Sequence, residues 1–316
     1  MSDQPTKKVV IVGTGFVGTA IAYSIVNQGI AEELVLTDID MNKAEGEAAD
    51  LRHGIPFGPG RTKVRAGGYD ECGNANVIVI TAGVNQQPGE TRLALVERNA
   101  AIIKSIIKQI MASGFDGIIV VASNPVDIIT YIAMKESGLP ASRVIGSGTT
   151  LDTARLRSNL SEYFNVDARN VHTYIMGEHG DTSFPTWSHC TIASQPIQEY
   201  IAKHGDKYNT SDLDELFTSA RDAAYYIIER KRATYFGIGM CVARIVKAIL
   251  NNERAILPVA VYMDGIYGQT DVYSSTPAVV SRKGIEEVIE LALSDEEMQQ
   301  LNHSIGVLKE TMKPVL

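Results

Sequence analysis

Three residues in the middle of the chain have the types and spacing of a proton-transfer site: Asp152, Arg155 and His179. Asp152 and Arg155 are three positions apart, so in a helix their side chains project from one face and can serve one site. His179 stands in a glycine-flanked turn, where its imidazole can hold the proton of a reacting hydroxyl group. A carboxylate such as Asp152 behind the other ring nitrogen would fix the tautomer and favour the imidazolium. The pattern predicts general acid–base chemistry.

A glycine-rich turn near the start of the chain predicts a dinucleotide site. The first apolar run leads into residues 13–18 (GTGFVG), so a GxGxxG pattern lies between a predicted strand and a predicted helix. Such glycines allow a tight turn, a close approach of the backbone to pyrophosphate and packing of the helix on the strand. The N-terminus of that helix would face the phosphates. The residues assigned to the cofactor here are Gly13, Gly15, Phe16, Val17 and Gly18.

Asp38 predicts which dinucleotide is bound. It ends the second predicted strand, twenty residues after Gly18, where a carboxylate can accept hydrogen bonds from both ribose hydroxyls of the adenosine half. The same carboxylate would repel a 2'-phosphate, and Lys43 is the one nearby residue that could offset it. We therefore expect NAD rather than NADP.

A second junction between strand and loop, at residues 123–125 (SNP), is a candidate for the nicotinamide half. It lies where the other half of the sheet should present polar groups to the ring, and Asn124 is assigned to both cofactor and substrate. The alternative is that this segment only starts a helix with proline at its first position. Gly83, after the fourth predicted strand, is also assigned to the cofactor.

The elements that must position these residues alternate regularly through the first half of the chain. Six apolar runs, nearly continuous in aliphatic residues, are typical of strands that are covered on both faces of a parallel sheet (9–12, 34–37, 63–66, 77–80, 118–121 and 144–145). Helical patterns separate them (16–28, 43–52, 93–111 and 125–137). The predicted fold class is α/β, with a doubly wound parallel sheet of the Rossmann type over residues 1–146.

Beyond this domain the alternation loosens, and residues 147–316 predict a mixed α+β catalytic domain. Long helices (149–163 and 212–250) are mixed with segments of antiparallel type (171–176, 257–263 and 272–281). The last helix begins after Ser294 with Glu297 three residues later, which is a capping box.

Composition and charge exclude several classes of function. The 316 residues include 29 Lys and Arg against 37 Asp and Glu, a net charge of −8, with no block of like charges, so nucleic acid is not an expected partner. The chain has no apolar stretch of membrane-spanning length and does not begin with an export signal, so we expect no membrane partner and a cytoplasmic location. Its three cysteines have neither a disulfide nor a metal spacing, and no metal is expected.

Four further segments complete a specific set of motifs: 86–92 (QQPGETR), 151–155 (LDTAR), 177–181 (GEHGD) and 232–235 (RATY). With the glycine-rich turn, they closely resemble the L-lactate dehydrogenases of the lactate/malate dehydrogenase family over essentially the whole chain. The resemblance implies reversible hydride transfer between NADH and pyruvate to give L-lactate, a reaction of glycolysis and fermentation.

The same resemblance implies a role for each matching residue. His179 and Asp152 match the acid–base pair, and Arg155 matches the residue that clamps the substrate carboxylate through two parallel hydrogen bonds. Arg92 matches the residue that polarises the carbonyl oxygen from a loop able to close as a lid. Thr234 resembles the small residue that limits the size of the substrate side chain.

Gln86 occupies the lid position at which malate dehydrogenases carry an arginine. A dicarboxylate would place a second negative charge beside this neutral amide in a closed pocket, at a cost on the order of several kcal/mol. Pyruvate and lactate have no such charge. We therefore expect a preference for pyruvate over oxaloacetate.

Arg157 and His172 match a regulatory site. Arg157 follows Arg155 by two residues, about 200° around a helix, so it points away from the active site. In bacterial lactate dehydrogenases activated by fructose 1,6-bisphosphate, a matching Arg and His meet their symmetry mates across a subunit interface and bind the phosphates. The resemblance implies such an effector and a homotetramer. The alternative is a pair of interface or surface groups without an effector.

Two other functions stay open at this point. One is a dehydrogenase for malate or another 2-hydroxy acid, which Gln86 and the rates on a panel of 2-oxo acids would separate. The other is a catalytically silent NAD-sensing protein. The intact set of His179, Asp152, Arg92 and Arg155 argues against the second.

Overall fold

The first half of the chain folds around a parallel sheet, as the alternating pattern predicts. In the computed structural model, which describes residues 6–84 and 92–315, the central strands are buried along their whole length. The six strands are β1 (Lys8–Val12), β2 (Glu33–Thr37), β3 (Lys63–Ala66), β4 (Val77–Ile80), β5 (Ile118–Val121) and β6 (Val144–Gly146). The helices between them are α1 (Phe16–Asn27), α2 (Met41–Gly54), α3 (Arg92–Ala112) and α4 (Val126–Ser137).

The order of the parallel strands creates a crevice. It runs β3-β2-β1-β4-β5-β6, so the direction of winding reverses between β1 and β4. Loops after these two strands diverge to opposite faces of the sheet, which opens a ligand site beyond their carboxyl ends. The predicted doubly wound sheet is confirmed.

The second half contributes more helices and, in addition, further strands for the same sheet. Its helices are α5 (Thr150–Phe164), α6 (Ile197–Lys203), α7 (Asp212–Lys231), α8 (Phe236–Leu250) and α9 (Asp295–Met312). Its strands are β7 (Val171–His172), β8 (Ile175–Met176), β9 (Phe184–Pro185), β10 (Thr191–Ile192), β11 (Gln195–Pro196), β12 (Ala255–Asp264), β13 (Thr270–Ser281) and β14 (Gly284–Val288). β12 pairs antiparallel with β6, and β13 and β14 extend the sheet to nine strands.

The single helix predicted over residues 212–250 is two helices in the structure. The prediction of a single helix over 212–250 is wrong, because α7 ends at Lys231 and α8 begins at Phe236. Arg232 adopts a left-handed conformation (φ 69°) and its N–H donates to the carbonyl of Ile228, which ends α7. The break creates the loop that carries Thr234.

The sheet is covered on both faces by apolar cores. One face packs against α3, α4 and α9 through residues such as Ile103, Ile129 and Leu301. The other packs against α1, α2 and α8 through residues such as Ile21 and Ile245. The ionisable groups described below are therefore held on a scaffold that is rigid at the carboxyl edge of the sheet. No helix in the described part of the chain is long and apolar enough to cross a membrane.

Candidate active site

The glycine-rich turn is shaped by two positions that exclude a side chain. Gly13 has φ +102°, and a Cβ there would lie 2.7 Å from the backbone nitrogen of Ala82 in the loop after β4. A Cβ on Gly18 would lie 1.9 Å from the carbonyl oxygen of Gly13. Both positions therefore keep α1 tight against the sheet. Gly15 has no atom within 4 Å of where its Cβ would be, so its open side faces the crevice.

A cavity of about 920 Å³ occupies this crevice. The N-terminus of α1 opens beside it, and its capping residue, Gly15, supplies no side-chain acceptor for the first helical N–H groups. These amides and the helix dipole favour an anionic group such as a pyrophosphate. The lining includes the predicted cofactor residues Gly13, Gly15, Asp38 and Gly83, together with Ile39 and Ile102. The residues present thus fit a dinucleotide.

Asp38 is fixed at the end of β2 by the turn itself. Its Oδ2 accepts hydrogen bonds from the backbone N–H of Thr14 at 2.5 Å and the hydroxyl of Thr14 at 2.8 Å, while its Oδ1 accepts from the N–H of Asp40. Burial opposes ionisation, but these hydrogen bonds and the charge of Lys43 outweigh it and hold the pKa of Asp38 below its usual value. The side chain is an anion in the position predicted for the adenosine ribose.

Asn99, a buried residue of α3, joins the loop after β4, which carries Gly83, to the loop predicted to contact the nicotinamide. Its Oδ1 accepts from the N–H of Val84 at 2.9 Å, and its Nδ2 donates to the carbonyl oxygens of Val84 and Asn124 at 3.2 and 2.8 Å. The side chain of Asn124 is exposed. Asn99 therefore fixes the backbone on both sides of the crevice.

His179, Asp152 and Arg155 meet: the spacing predicts that Asp152 and Arg155 share one face, and the family resemblance implies the pairing of Asp152 with His179. The imidazole Nδ1 lies 2.6 Å from Asp152 Oδ2, and an Arg155 guanidinium nitrogen donates to Asp152 Oδ1 at 3.2 Å. Asp152 is 6% exposed, whereas the side chain of His179 keeps 27% of its surface exposed. Within residues 6–84 and 92–315, Nε2 of His179 has no hydrogen-bond partner, so this nitrogen is available to a substrate.

The backbone that carries His179 is held by three elements. Gly177 exchanges two backbone hydrogen bonds with Ser275 of β13. The N–H of Glu178 donates to Ser304 Oγ of α9 at 2.7 Å, and the N–H of His179 donates to Asp127 Oδ2 of α4 at 2.8 Å. Three consecutive residues are thus anchored to a strand and two helices, which fixes the imidazole in place.

The helix that carries Asp152 is joined directly to the strand that leads to His179. Thr149 donates from its hydroxyl to the carbonyl of Ile175, and the N–H of Ile175 donates to Thr153 Oγ1 at 2.9 Å. Both threonines are buried. These bonds set the separation between α5 and β8, and with it the distance between the carboxylate and the imidazole.

The electrostatics of the pair favour a protonated histidine. The charge of Asp152 raises the pKa of His179 to about 9, against the opposing effect of burial. Burial works against ionisation of Asp152, but His179 and Arg155 hold its pKa below the usual value. Burial raises the pKa of Asp127 to about 7, although the backbone N–H and the charge of His179 oppose that rise. At neutral pH the site holds an imidazolium with its counter-ion behind it.

The loop between α7 and α8 lies against the nucleotide turn. The ring of Tyr235, next to Thr234, stacks on Phe16 with 5.3 Å between centroids. The ammonium group of Lys231 lies over the Tyr235 ring, 3.5 Å from its centroid. Thr234 is therefore placed beside the first turn of α1.

Two of the predicted substrate-binding side chains, those of Gln86 and Arg92, lie outside the described part of the chain. Gln86 lies in 85–91, outside the described residues, and so does most of the predicted lid. The backbone of Arg92 begins α3, but its side chain is likewise outside the described part of the chain. The predicted effector residues lie away from the pair: Arg157 donates from Nε and Nη2 to the carbonyl of Ala168, and His172 is exposed on β7.

Sequence reasoning missed Asp127 and Asn99. Asp127 sits in the first turn of a helix after a proline, which reads as ordinary helix-start chemistry, and its contact with His179 spans 52 residues of sequence. Asn99 lies in an otherwise amphipathic helix. A polar residue on the buried face of a predicted helix was the available signal. In the described part of the chain no group of His, Cys, Asp and Glu could hold a metal ion.

Fold and site together are those of a dinucleotide-dependent dehydrogenase. Residues 7–146 match the model of the lactate/malate dehydrogenase NAD binding domain, and residues 149–316 match that of the lactate/malate dehydrogenase α/β C-terminal domain. The chain belongs to the lactate/malate dehydrogenase family. This match confirms the prediction of NAD as the cofactor.

Relatives and solved structures cover the whole length. The chain is 57% identical over 309 residues to L-lactate dehydrogenase 2 of Bacillus cereus (strain ZK / E33L), covering 98% of each chain. It superposes on the ligand-bound minor L-lactate dehydrogenase of Enterococcus mundtii with a TM-score of 0.97 at 52% identity, covering 99% of each chain. For a lactate dehydrogenase from a Medee basin deep-sea metagenome library the TM-score is 0.96 at 53% identity, again covering 99% of each.

Proposed function

We propose that the chain is an NAD-dependent L-lactate dehydrogenase that interconverts pyruvate and L-lactate. The observation that carries this proposal is the 2.6 Å contact between His179 Nδ1 and Asp152, with Arg155 alongside and with no partner for Nε2 among the residues that the structure describes. Full-length relatives named L-lactate dehydrogenase agree with it and confirm the prediction made from the sequence.

Proton transfer is the task of His179. In the direction of pyruvate reduction, the imidazolium donates its Nε2 proton to the carbonyl oxygen as that oxygen gains charge. Asp152 keeps the proton on Nδ1, so the ring changes between imidazolium and one neutral tautomer. In the reverse direction neutral Nε2 accepts the hydroxyl proton of lactate. Bound NADH supplies the hydride that reduces the carbonyl carbon.

The remaining roles concern orientation and the exclusion of water. Arg155 binds the carboxylate of the substrate with the guanidinium N–H groups that do not face Asp152. Arg92 polarises the carbonyl from the lid, and Thr234 limits the space for the substrate side chain. Asn124 contributes to the nicotinamide side of the pocket, beside the loop that Asn99 holds.

The direct test is an initial-rate assay that follows NADH absorbance with pyruvate, comparing the wild type with His179→Asn. The asparagine approximates the shape of one edge of the ring and cannot carry the proton, so we expect kcat to fall by about two to four orders of magnitude with NADH binding retained. A silent NAD-sensing protein would bind NADH and leave its absorbance unchanged on addition of pyruvate.

Gln86 decides between lactate and malate in this proposal. Changing Gln86→Arg adds a cation that can pair with the second carboxylate of oxaloacetate, and it leaves pyruvate without a partner for that charge. We expect the ratio of kcat/KM for oxaloacetate over pyruvate to rise by at least about a hundredfold, equivalent to about 2.7 kcal/mol. Gln87→Arg, one position along, is the matched control. An unchanged ratio for Gln86→Arg would exclude it as the selector.

We also propose that fructose 1,6-bisphosphate activates the enzyme through Arg157 and His172. The supporting features are the exposure of His172 and the location of Arg157 on the side of α5 away from Asp152, where Ala168 holds its guanidinium. Two such pairs at a twofold axis would repel each other, and a bisphosphate would relieve that repulsion.

The effector is tested by the KM for pyruvate near pH 7 with and without the sugar bisphosphate. Activation should lower KM in the wild type and be lost in Arg157→Gln/His172→Gln. Arg169→Gln is the control, since Arg169 is exposed on the turn that also contains Ala168, and it pairs with Asp167. A KM that does not respond in the wild type rejects activation.

A cytoplasmic homotetramer serving glycolysis and fermentation completes the proposal. Large apolar side chains support subunit contacts: Phe57, Phe236, Met240 and Tyr23 are 94%, 65%, 64% and 61% exposed, respectively. Contiguous apolar patches at a protein surface mark protein interfaces, and we propose that these side chains lie in such patches. Sedimentation equilibrium should give the mass of four chains, and a monomeric mass would contradict this assignment.

A further inference from the structure

A second cleft lies at the opposite edge of the sheet from the nucleotide site. Its volume is about 700 Å³, in the size range of small-molecule sites. Lys7, Asn76, Ile118 and Arg143 line it where β1, β4, β5 and β6 begin, so it opens at the amino ends of the parallel strands. The end of α8 and the turn between β13 and β14 form its other wall. We name it the amino-end cleft.

The amino-end cleft is basic in a chain whose net charge is −8. Its lining contains Lys7, Arg143, Arg282 and Lys283 against a single acid, Asp116. The four cations come from three separate segments of the chain, and the fold brings their charges to one concave surface. Clefts lined by one sign of charge concentrate ions of the opposite sign.

The acids around this cleft do not neutralise it. Asp116 accepts a hydrogen bond from Arg143 at 2.5 Å, while the ammonium of Lys7 donates at 2.7 Å to the uncharged amide oxygen of Asn251. Arg282 and Lys283 are both exposed in the turn.

Further acids lie at the rim. Glu253 pairs with Arg244 at 2.6 Å and Glu286 pairs with Arg254 at 3.5 Å, so each of these two has its own cation, although Glu286 also feels the charge of Lys283. Glu32 accepts a hydrogen bond from the backbone N–H of Lys7, at 3.3 Å. The lining residues and the neighbouring charged residues named here comprise six cations and four carboxylates, an excess of two positive charges.

We propose that the amino-end cleft binds a small anion that carries two or three negative charges on phosphate or carboxylate groups. The excess charge sets the number of anionic groups, and the volume sets the size. Guanidinium and ammonium groups bind either kind of oxyanion, with Arg282 able to make a bidentate contact. The site is separate from the cofactor cavity and from Arg157 and His172.

The proposal is tested by calorimetric titration of pyrophosphate and of citrate at physiological ionic strength. The protein is saturated with NADH and oxamate, an unreactive amide analogue of pyruvate, so that the cofactor and substrate sites are filled. Four proteins are compared: wild type, Arg282→Gln/Lys283→Gln, the charge-matched control Lys309→Gln/Lys313→Gln at the C-terminal end of α9, where Lys313 is the capping residue, and Arg157→Gln/His172→Gln. Lys7→Gln is a second, independent change in the cleft.

We expect the wild type to bind at least one of the two anions with a Kd below about 1 mM. The Arg282/Lys283 variant should weaken that binding at least tenfold, the α9 control should change it less than twofold, and the Arg157/His172 variant should retain it. Which anion binds identifies the oxyanion class.

Three results would overturn the site. They are no binding of either anion by the wild type, an equal loss in the α9 control, and a loss in the Arg157/His172 variant alone. The rate of NADH oxidation with pyruvate checks that each variant is folded.

Discussion

His179 combines a strongly stabilised proton with an Nε2 that has no hydrogen-bond partner in the described part of the chain, and both properties depend on other residues. The charge of Asp152 is the largest cause of the raised pKa of His179. Asp127 also raises this pKa, by a smaller amount, and Arg155 lowers it. A pKa of about 9 means that His179 of the free enzyme is protonated at neutral pH. Pyruvate reduction needs this protonated form, because His179 donates the proton. Lactate oxidation needs the neutral form and must work against the same stabilisation.

The raised pKa of His179 predicts how kcat/KM for pyruvate depends on pH, and how that dependence changes in Asp152→Asn. For the wild type, kcat/KM for pyruvate should fall as pH rises through about 9, because His179 loses its proton there. Without the carboxylate the pKa of His179 falls, so the decline should begin at lower pH, and kcat/KM at pH 7 should drop about a hundredfold or more. Rate profiles and titration of the His179 ring by NMR measure both effects. An unmoved midpoint would contradict the role of Asp152.

Asp127 predicts a pH effect on stability instead. Its pKa is about 7 in the folded state and near 3.8 when unfolded, so ionisation favours the unfolded chain and the wild type loses stability as pH rises from about 4 to about 7. Asp127→Asn keeps an acceptor oxygen for the His179 N–H and removes this titration. Its Tm relative to wild type should therefore increase between pH 4.5 and 7.5. A pH-independent difference in Tm would show that Asp127 does not titrate in this range.

The role of a single residue could be predicted only where the residue belongs to a local sequence motif. The spacing of Asp152 and Arg155 on one helical face was sufficient to predict that they share a site, and the structure places them 3.2 Å apart. Asp127 and Asn99 act through contacts with distant segments, so their importance follows from the fold and from no pattern around them.

Among the elements, α1 and α8 pack closely together beside the nucleotide turn. Gly239 of α8 is buried, and a Cβ added there would lie 2.9 Å from the carbonyl carbon of Ala20 and 3.0 Å from its Cβ. The neighbouring atoms belong mainly to the backbone, which cannot turn aside as a flexible side chain can. The glycine therefore sets the distance between the two helices.

Gly239→Ala should destabilise the protein although alanine is the better helix former. Overpacking against the backbone of α1 costs about 1–3 kcal/mol, which exceeds the gain in helix propensity of up to about 1 kcal/mol. Gly306→Ala in α9 is the control, because its Cβ would have no atom within 4 Å, and it should stabilise by up to about 1 kcal/mol. Urea unfolding measures both. Equal stabilisation by the two changes would refute the close contact.

Element boundaries were predictable where apolar periodicity carried them. The six parallel strands and α9 with its capping box follow from runs of buried aliphatic residues and from Ser294 and Glu297. The break between α7 and α8 could not be predicted in the same way, because Arg232 is neither glycine nor proline and takes a left-handed conformation that its sequence does not signal. Tertiary contacts such as the stacking of Tyr235 on Phe16 accompany that break.

For the whole molecule, the cofactor should contribute measurably to stability, and the two nicotinamide dinucleotides should differ. A ligand at a hundred times its Kd adds about 2.7 kcal/mol to the free energy of unfolding. NADH should raise Tm clearly, whereas NADPH at the same concentration should raise it less, because the ionised Asp38 repels the 2'-phosphate. Differential scanning fluorimetry with both nucleotides measures the shifts. Equal shifts would contradict the selectivity assigned to Asp38.

The continuity of the sheet has a practical consequence for dissecting the enzyme. β12 docks on β6 through the pairing of Ala260 with Gly146, and residues from both halves of the chain fill the cores on either side. A fragment that stopped at residue 146 would present β6 as a bare edge and uncover the apolar surface that α8 shields, both of which invite aggregation. The nucleotide-binding half is thus complete as a sequence motif but dependent on its neighbour as a folding unit.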